Sequence, residues 1–213
     1  MPLPSCFVIG DSISIQYGPA LERMLAGRFA YARKSGEEEA LRDLDHPVGA
    51  NGGDSSRVLE YLRALQAGGG FAPDVLLLNC GLHDIKTDPA TGEKQVPLDA
   101  YTANLHACAG VLRALGIFTV WVRTTPVDDE QHNTRAEFHR HAADVAAYND
   151  AADRVWTEAG APLLDLHAFT AALGGTEIFC DHVHFTEPVR ELQAACIAGY
   201  LDALAATGRF SKR

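Results

Sequence analysis

Apolar positions along the chain fall into short continuous runs separated by stretches with helical spacing. Cys6-Phe7-Val8-Ile9 is a compact run ending at Gly10, and Asp74-Val75-Leu76-Leu77-Leu78-Asn79-Cys80 is the clearest strand signal. Its unbroken apolarity implies burial on both faces, as in a parallel sheet. Phe118 to Val122, Pro162 to Asp165 and Phe29 to Ala32 read as further strands. Helical patterns lie between them. One covers Leu21 to Leu25 and ends near Gly27. A second carries Val58, Leu59, Leu62 and Leu65, follows a cap at Asp54, Ser55 or Ser56, and stops at Gly68-Gly69-Gly70. A third runs from Leu98 to Leu115, a fourth from Arg135 to Ala159, and a last one is opened by Thr186-Glu187-Pro188 with a cap and an early proline. Glu37-Glu38-Glu39 opens a short exposed helix, and residues 85–97 and 126–134 read as loops.

Strands alternating with helices predict an α/β fold: a roughly five-stranded parallel sheet with helices on both faces. At 213 residues the chain suits one well-buried domain and is short for two. No internal repeat, linker or low-complexity segment divides it.

Composition narrows the classes of function. Apolar residues make up 47% and charged residues 22%, the balance of a soluble globular protein. A net charge of −10 argues against nucleic acid as a partner. There is no basic amphipathic stretch, and no apolar run approaches the roughly 18 residues of a membrane span, so no membrane insertion is expected. Met1-Pro2-Leu3-Pro4-Ser5 lacks the basic and apolar regions of a signal peptide. The five cysteines are odd in number and form no C-x-x-C pair, which predicts reduced, mostly buried thiols and a cytoplasmic setting.

Four short polar motifs carry the candidate chemistry: Gly10-Asp11-Ser12-Ile13, Gly52-Gly53-Asp54-Ser55, Gly81-Leu82-His83-Asp84 and Asp181-His182-Val183-His184. In open parallel sheets ligands bind beyond the carboxyl ends of the strands. The first motif sits just past the first strand and the third just past the buried run 75–80. Ser12 stands near a helix N-terminus, where its backbone N–H can face a developing oxyanion. Asp11 bonds backbone N–H groups of the turn. The three-residue spacing from Asp181 to His184 lets the carboxylate hold one ring nitrogen and leaves the other to accept the Ser12 proton. His182, one residue from Asp181, has poorer geometry and reads as a surface residue. Taken singly, each motif has an ordinary structural reading, a helix cap or a surface His beside an Asp. Arg123, Thr124 and Thr125 end the fourth strand at the same rim, as pocket-lining groups or plain strand ends. Asp128, Asp129 and His132 lie in a loop that either covers the site or is simply solvated.

In this order the motifs resemble the four blocks of the SGNH hydrolase superfamily, the GDSL-type esterases and lipases, from about Phe7 to the terminal helix. The resemblance implies a flavodoxin-like three-layer α/β/α sandwich. It also implies a catalytic Ser12 with Asp181 and His184, an oxyanion hole that includes Gly53, and metal-free hydrolysis of small-molecule esters or thioesters without a cofactor. The family has Asn in the third block, where this chain has His83. A neutral imidazole retains one N–H donor, although the ring differs in reach from an amide.

Two other readings stay open at this stage. His83, His182, His184, Asp11 and Asp181 could converge on a metal ion as in a metallohydrolase, or the fold could serve as a non-catalytic binding module. The absence of an apolar lid pattern favours a small or polar ester, such as an acetyl ester. Oligomeric state is not legible.

Overall fold

The computed structural model describes residues 2–208. In chain order it contains β1 (Ser5–Ile9), α1 (Ser12–Leu25), β2 (Ala30–Arg33), α2 (Glu37–Ala40), α3 (Ser55–Gly68), β3 (Val75–Leu78), α4 (Leu98–Leu115), β4 (Thr119–Val122), α5 (Asp129–Asn133), α6 (Ala142–Glu158), β5 (Leu163–Leu164), α7 (Leu166–Ala171), a 3₁₀ turn (Thr176–Ile178) and α8 (Glu187–Ala206). All five strands are parallel, in the order β2-β1-β3-β4-β5. This is the flavodoxin-like order, and it reverses at β1.

The reversal dictates the layers. From β1 the chain steps outward to β2, then returns across β1 to β3 and continues the other way. Because parallel crossovers are right-handed, helices on the two legs fall on opposite faces. Accordingly α1, α7 and α8 pack together on one face, and α3, α4 and α6 on the other. All four residues of β3 and of β4 are buried, as their sequence implies. Trp121 of β4 stacks on Trp156 of α6, with ring centroids 5.3 Å apart. Cys6, Cys80 and Cys108 are buried thiols, Cys180 is exposed, and none of the five is bridged.

Two departures from the sequence reading matter. The helix expected over 135–159 begins only at Ala142, and 126–134 contains the short helix α5. Between them the chain is pulled into the protein. His139 pairs with Thr87 through two backbone bonds of 2.8 and 2.9 Å, and the Arg140 N–H donates to Asn133 Oδ1 at 2.9 Å. Tertiary pairing overrides helix propensity here. Thr87 also bridges to Lys94 within its own loop, so the 85–97 loop is closed on itself and tied to the segment that carries His139. At α8, Thr186 occupies the cap position without a side-chain cap bond.

A buried carboxylate joins the second and third motifs. Asp84 is fully buried and accepts the Ser55 N–H at the start of α3, at 2.9 and 3.1 Å from its two oxygens. Asp54, the next residue back, caps α3 by accepting from the N–H groups of Ser56 and Arg57. Burial pushes the Asp84 carboxyl up to about 7, against the Ser55 bonds, which favour the ionised form. The folded protein therefore keeps a proton that the unfolded chain, titrating at about 3.9, releases. Stability carried by this group falls as pH rises between those two values. Asp84→Asn cannot ionise, so wild-type stability relative to that variant should fall from pH 4 to pH 7 by at least about 1.4 kcal/mol, the worth of one pH unit. Chemical denaturation of both proteins at both pH values measures the gap; a pH-independent gap would contradict the assignment.

Candidate active site

Where the strand order reverses, beyond the carboxyl ends of β1 and β3, lies the crevice in which such folds bind ligands. The first motif leaves β1 into it. Asp11 caps α1 by accepting the Ile13 N–H at 3.0 Å, and Ser12 is the first residue of the helix. Its N–H is thus one of the first-turn donors without an acceptor within the helix. The second motif is tied down by the Gly52 N–H donating to the Gly10 carbonyl at 2.8 Å. The third leaves β3 through Gly81, whose φ is +151°. A Cβ there would lie 2.4 Å from Thr124 Oγ1, so only glycine admits this approach. Thr124 in turn donates to the Cys80 carbonyl at 3.1 Å and exchanges backbone bonds with the Asn149 amide, fixing the ends of β3 and β4 together.

The fourth motif closes over this rim. Phe179 and Phe185 form a bridge, and the Cys180 N–H donates to the His184 carbonyl at 2.8 Å. Within this loop Asp181 Oδ1 accepts the N–H groups of Val183 and His184 at 2.9 and 2.7 Å. Its Oδ2 lies 2.7 Å from His184 Nδ1, and His184 Nε2 lies 2.8 Å from Ser12 Oγ. An ionised carboxylate only accepts, so Nδ1 carries the proton and Nε2 offers its lone pair to the serine hydroxyl. Burial raises the Asp181 carboxyl, but the His184 ring and the two backbone donors outweigh it and hold the group well below the usual carboxylate range. Ser12 and His184 are buried, and Asp181 is partly open to solvent.

Of the three residues expected at an oxyanion hole, each has a distinct setting. The Ser12 N–H belongs to the first residue of α1, where no acceptor within the helix reaches it. The Gly53 N–H already donates to Asn51 Oδ1 at 3.0 Å, so it is not the free donor the sequence suggested. His83 is 1% exposed and its Nδ1 has no hydrogen-bond partner. Burial, then the charges of Arg140 and Lys86, push its pKa well down, so the ring is neutral. The reach of this ring matches the family's amide: Nδ1 of histidine and Nδ2 of asparagine are both bonded to Cγ.

Several flanking groups were not foreseen. His182 is no surface residue: its side chain is 13% exposed and its Nε2 lies 3.0 Å from Asp45 Oδ2. The Asp45 carboxyl, raised by burial but lowered more by this bond, sits at about 2. Arg140 is wholly buried beside the third motif, with Nε donating to the Leu82 carbonyl at 2.6 Å and a terminal nitrogen 3.0 Å from His132 Nε2. The reading of 135–159 as one helix concealed it. Asp128 caps α5, Asp129 accepts the Ala142 N–H, and Arg123 points to Asp165 and Asp153 at 2.8 and 3.2 Å. Outside His182 opens a groove of about 910 Å³, lined by Arg57, Lys86, Glu93, Arg135, Glu137 and Phe138 among others.

Three residues of the metal-binding alternative have partners within the protein. His184 uses both ring nitrogens, His182 faces Asp45 and Asp11 faces Ile13. Among the described residues no three His, Cys, Asp or Glu side chains are grouped to hold a metal ion. Among the described residues, too, no helix is long and apolar enough to cross a membrane.

Comparison with known proteins agrees with this fold. Among curated proteins none matches. Solved structures share the fold at low identity. A lipase/acylhydrolase from Enterococcus faecalis is 17% identical over 94% of this chain and 96% of its own, with a TM-score of 0.60. The acetyl xylan esterase AlAXEase is 15% identical over 92% and 98%, with a TM-score of 0.67. The psychrotrophic esterase EstA from Pseudoalteromonas sp. is 14% identical over 95% and 98%, with a TM-score of 0.63. The model of the GDSL-like lipase/acylhydrolase family matches residues 8–190, nearly the whole sequence. The chain belongs to that family and is a serine ester hydrolase.

Proposed function

We propose that the protein hydrolyses a small or polar carboxylic ester, of the acetyl type, through an acyl-enzyme at Ser12. The observation that carries this reading is the unbroken chain from Ser12 Oγ through His184 to Asp181, at 2.8 and 2.7 Å. Ser12 Oγ attacks the ester carbonyl as His184 Nε2 takes its proton. The tetrahedral oxyanion accepts the Ser12 N–H and the Nδ1–H of His83, whose orphaned nitrogen then gains its missing partner. The Gly53 N–H joins by sharing its proton with Asn51. Collapse expels the alcohol, which takes the proton from His184. A water then attacks the acyl carbonyl by the same route and releases the acid.

The groove bears on the substrate. Its lining mixes charges of both signs around a single aromatic ring, and that ring is covered by Lys86, whose ammonium lies 4.2 Å from the Phe138 centroid. The many charged and polar side chains of this lining offer partners to a polar alcohol. The acetyl xylan esterase of the same fold is in keeping with such a substrate.

Kinetics on a short-chain ester test the assignment of roles. Ser12→Ala and His184→Ala should each lower kcat by about 10⁴-fold or more, since members of one unit fail together. His182→Ala should be far milder, because its ring is turned to Asp45. A larger loss at His182 than at His184 would reverse the two roles.

His83→Ala should lower kcat on the order of 10²–10³-fold with KM little changed, because the bond strengthens only in the transition state. His83→Asn should recover part of that loss, since its Nδ2 stands at the same position along the side chain. A stable His83→Ala protein with unchanged kcat would remove His83 from the oxyanion hole.

A further inference from the structure

Arg140 is 2% exposed, yet among the described residues no carboxylate lies within the 4.0 Å of an ion pair. An unpaired buried charge is costly to fold around. Its compensation comes from the more distant charges of Asp45, Asp11 and Asp181 and from uncharged partners in contact. The Leu82 carbonyl accepts from Nε at 2.6 Å, His132 Nε2 accepts at 3.0 Å, and the Phe138 ring centroid lies 4.9 Å from the guanidinium carbon. Those partners are themselves arranged to accept. His132 is neutral, lowered to about 3 by burial and then by Arg140, and its Nδ1–H donates to Asn133 Oδ1 at 3.2 Å, which leaves Nε2 bare for the guanidinium.

What the guanidinium grips is informative. The Leu82 carbonyl belongs to the peptide whose nitrogen is that of His83, so a charge-assisted bond fixes the plane from which the His83 side chain departs. The arm that carries Arg140 is fixed as well: His139 is paired with Thr87 on the loop that follows the third motif, and the Arg140 N–H is held by Asn133. The detour of 134–141 away from helix delivers the guanidinium to the Leu82 carbonyl and to His132.

We infer that Arg140 is a positioning residue for His83: by holding the Leu82 carbonyl it sets the line along which the His83 N–H meets the oxyanion. The inference rests on His83 being an oxyanion donor, and a double-mutant cycle separates the two claims. It compares kcat and KM for p-nitrophenyl acetate among the wild type, Arg140→Gln, His83→Ala and the double variant. Arg140→Gln alone should lower kcat on the order of 10²-fold with KM little changed, the effect of a misaimed catalytic group. On the His83→Ala background the same substitution should cost about threefold or less, because the group it aims is gone. A full repeat of the loss on that background, as a purely structural role or direct contact with substrate would give, overturns the inference while leaving His83 in place. An unchanged kcat in His83→Ala overturns both. Should Arg140→Gln fail to fold, Arg140→Lys, which keeps the charge and a donor, carries the same cycle: a smaller loss that vanishes without His83 supports the inference, and an undiminished one overturns it.

Discussion

The bond between Ser12 and His184 joins positions 172 residues apart, and most of the architecture serves to make that meeting reproducible. Ser12 is set by β1 and the cap of α1. His184 is set by a loop that α8 anchors, and α8 lies directly on α1. The two helices thus share one packed face, with Leu21 and Leu25 on one and Ile197 and Leu201 on the other all buried. Packed interiors do not deform continuously, so the separation between nucleophile and base is inherited from apolar packing far from either. Asp181 adds a local constraint: with one oxygen committed to two backbone donors, its other oxygen can approach His184 from one direction only.

The opposite side of the crevice is built by polar bonds rather than apolar packing. Gly81 lets the chain pass Thr124 at close range, Asp84 pins the third motif to α3, and Arg140 holds the Leu82 carbonyl. Polar atoms left without partners occur on both sides of the crevice: His83 Nδ1, Asp11 Oδ2 and His182 Nδ1 are all buried and unbonded. Each lowers stability by an amount on the order of 1–3 kcal/mol. Such unsatisfied groups are tolerated where a transition state supplies what the resting protein lacks. Asp11 illustrates the strain, since burial raises its carboxyl even though the Ile13 N–H and the Arg140 charge favour its ionised form.

Much of this was legible in the chain. The run at 6–9 announced a strand and that at 75–80 a buried parallel one, and the limits of α4 matched its periodicity from Leu98 to Leu115. The motifs announced the site because strand-end turns, helix starts and an Asp-to-His spacing are local features. What escaped was non-local. Nothing in the local pattern at 135–141 opposes helix; the pairing of His139 with Thr87, some fifty residues away, decides it. His182 looked exposed because its partner, Asp45, is supplied by a loop 137 residues earlier. Gly53 looked like a free donor because its competitor, Asn51, caps it only once the turn has formed. The small helix α7 and the 3₁₀ turn lay in a stretch without clear periodicity.

The central claim is that Ser12 is a nucleophile activated by His184. Incubation with a fluorophosphonate probe followed by peptide mapping tests it most directly, because the reagent bonds covalently only to a serine whose proton has somewhere to go. The account predicts stoichiometric labelling of the peptide carrying Ser12, and labelling slowed by orders of magnitude in folded His184→Ala. Modification of another serine, or labelling of Ser12 at the same rate without His184, would contradict it.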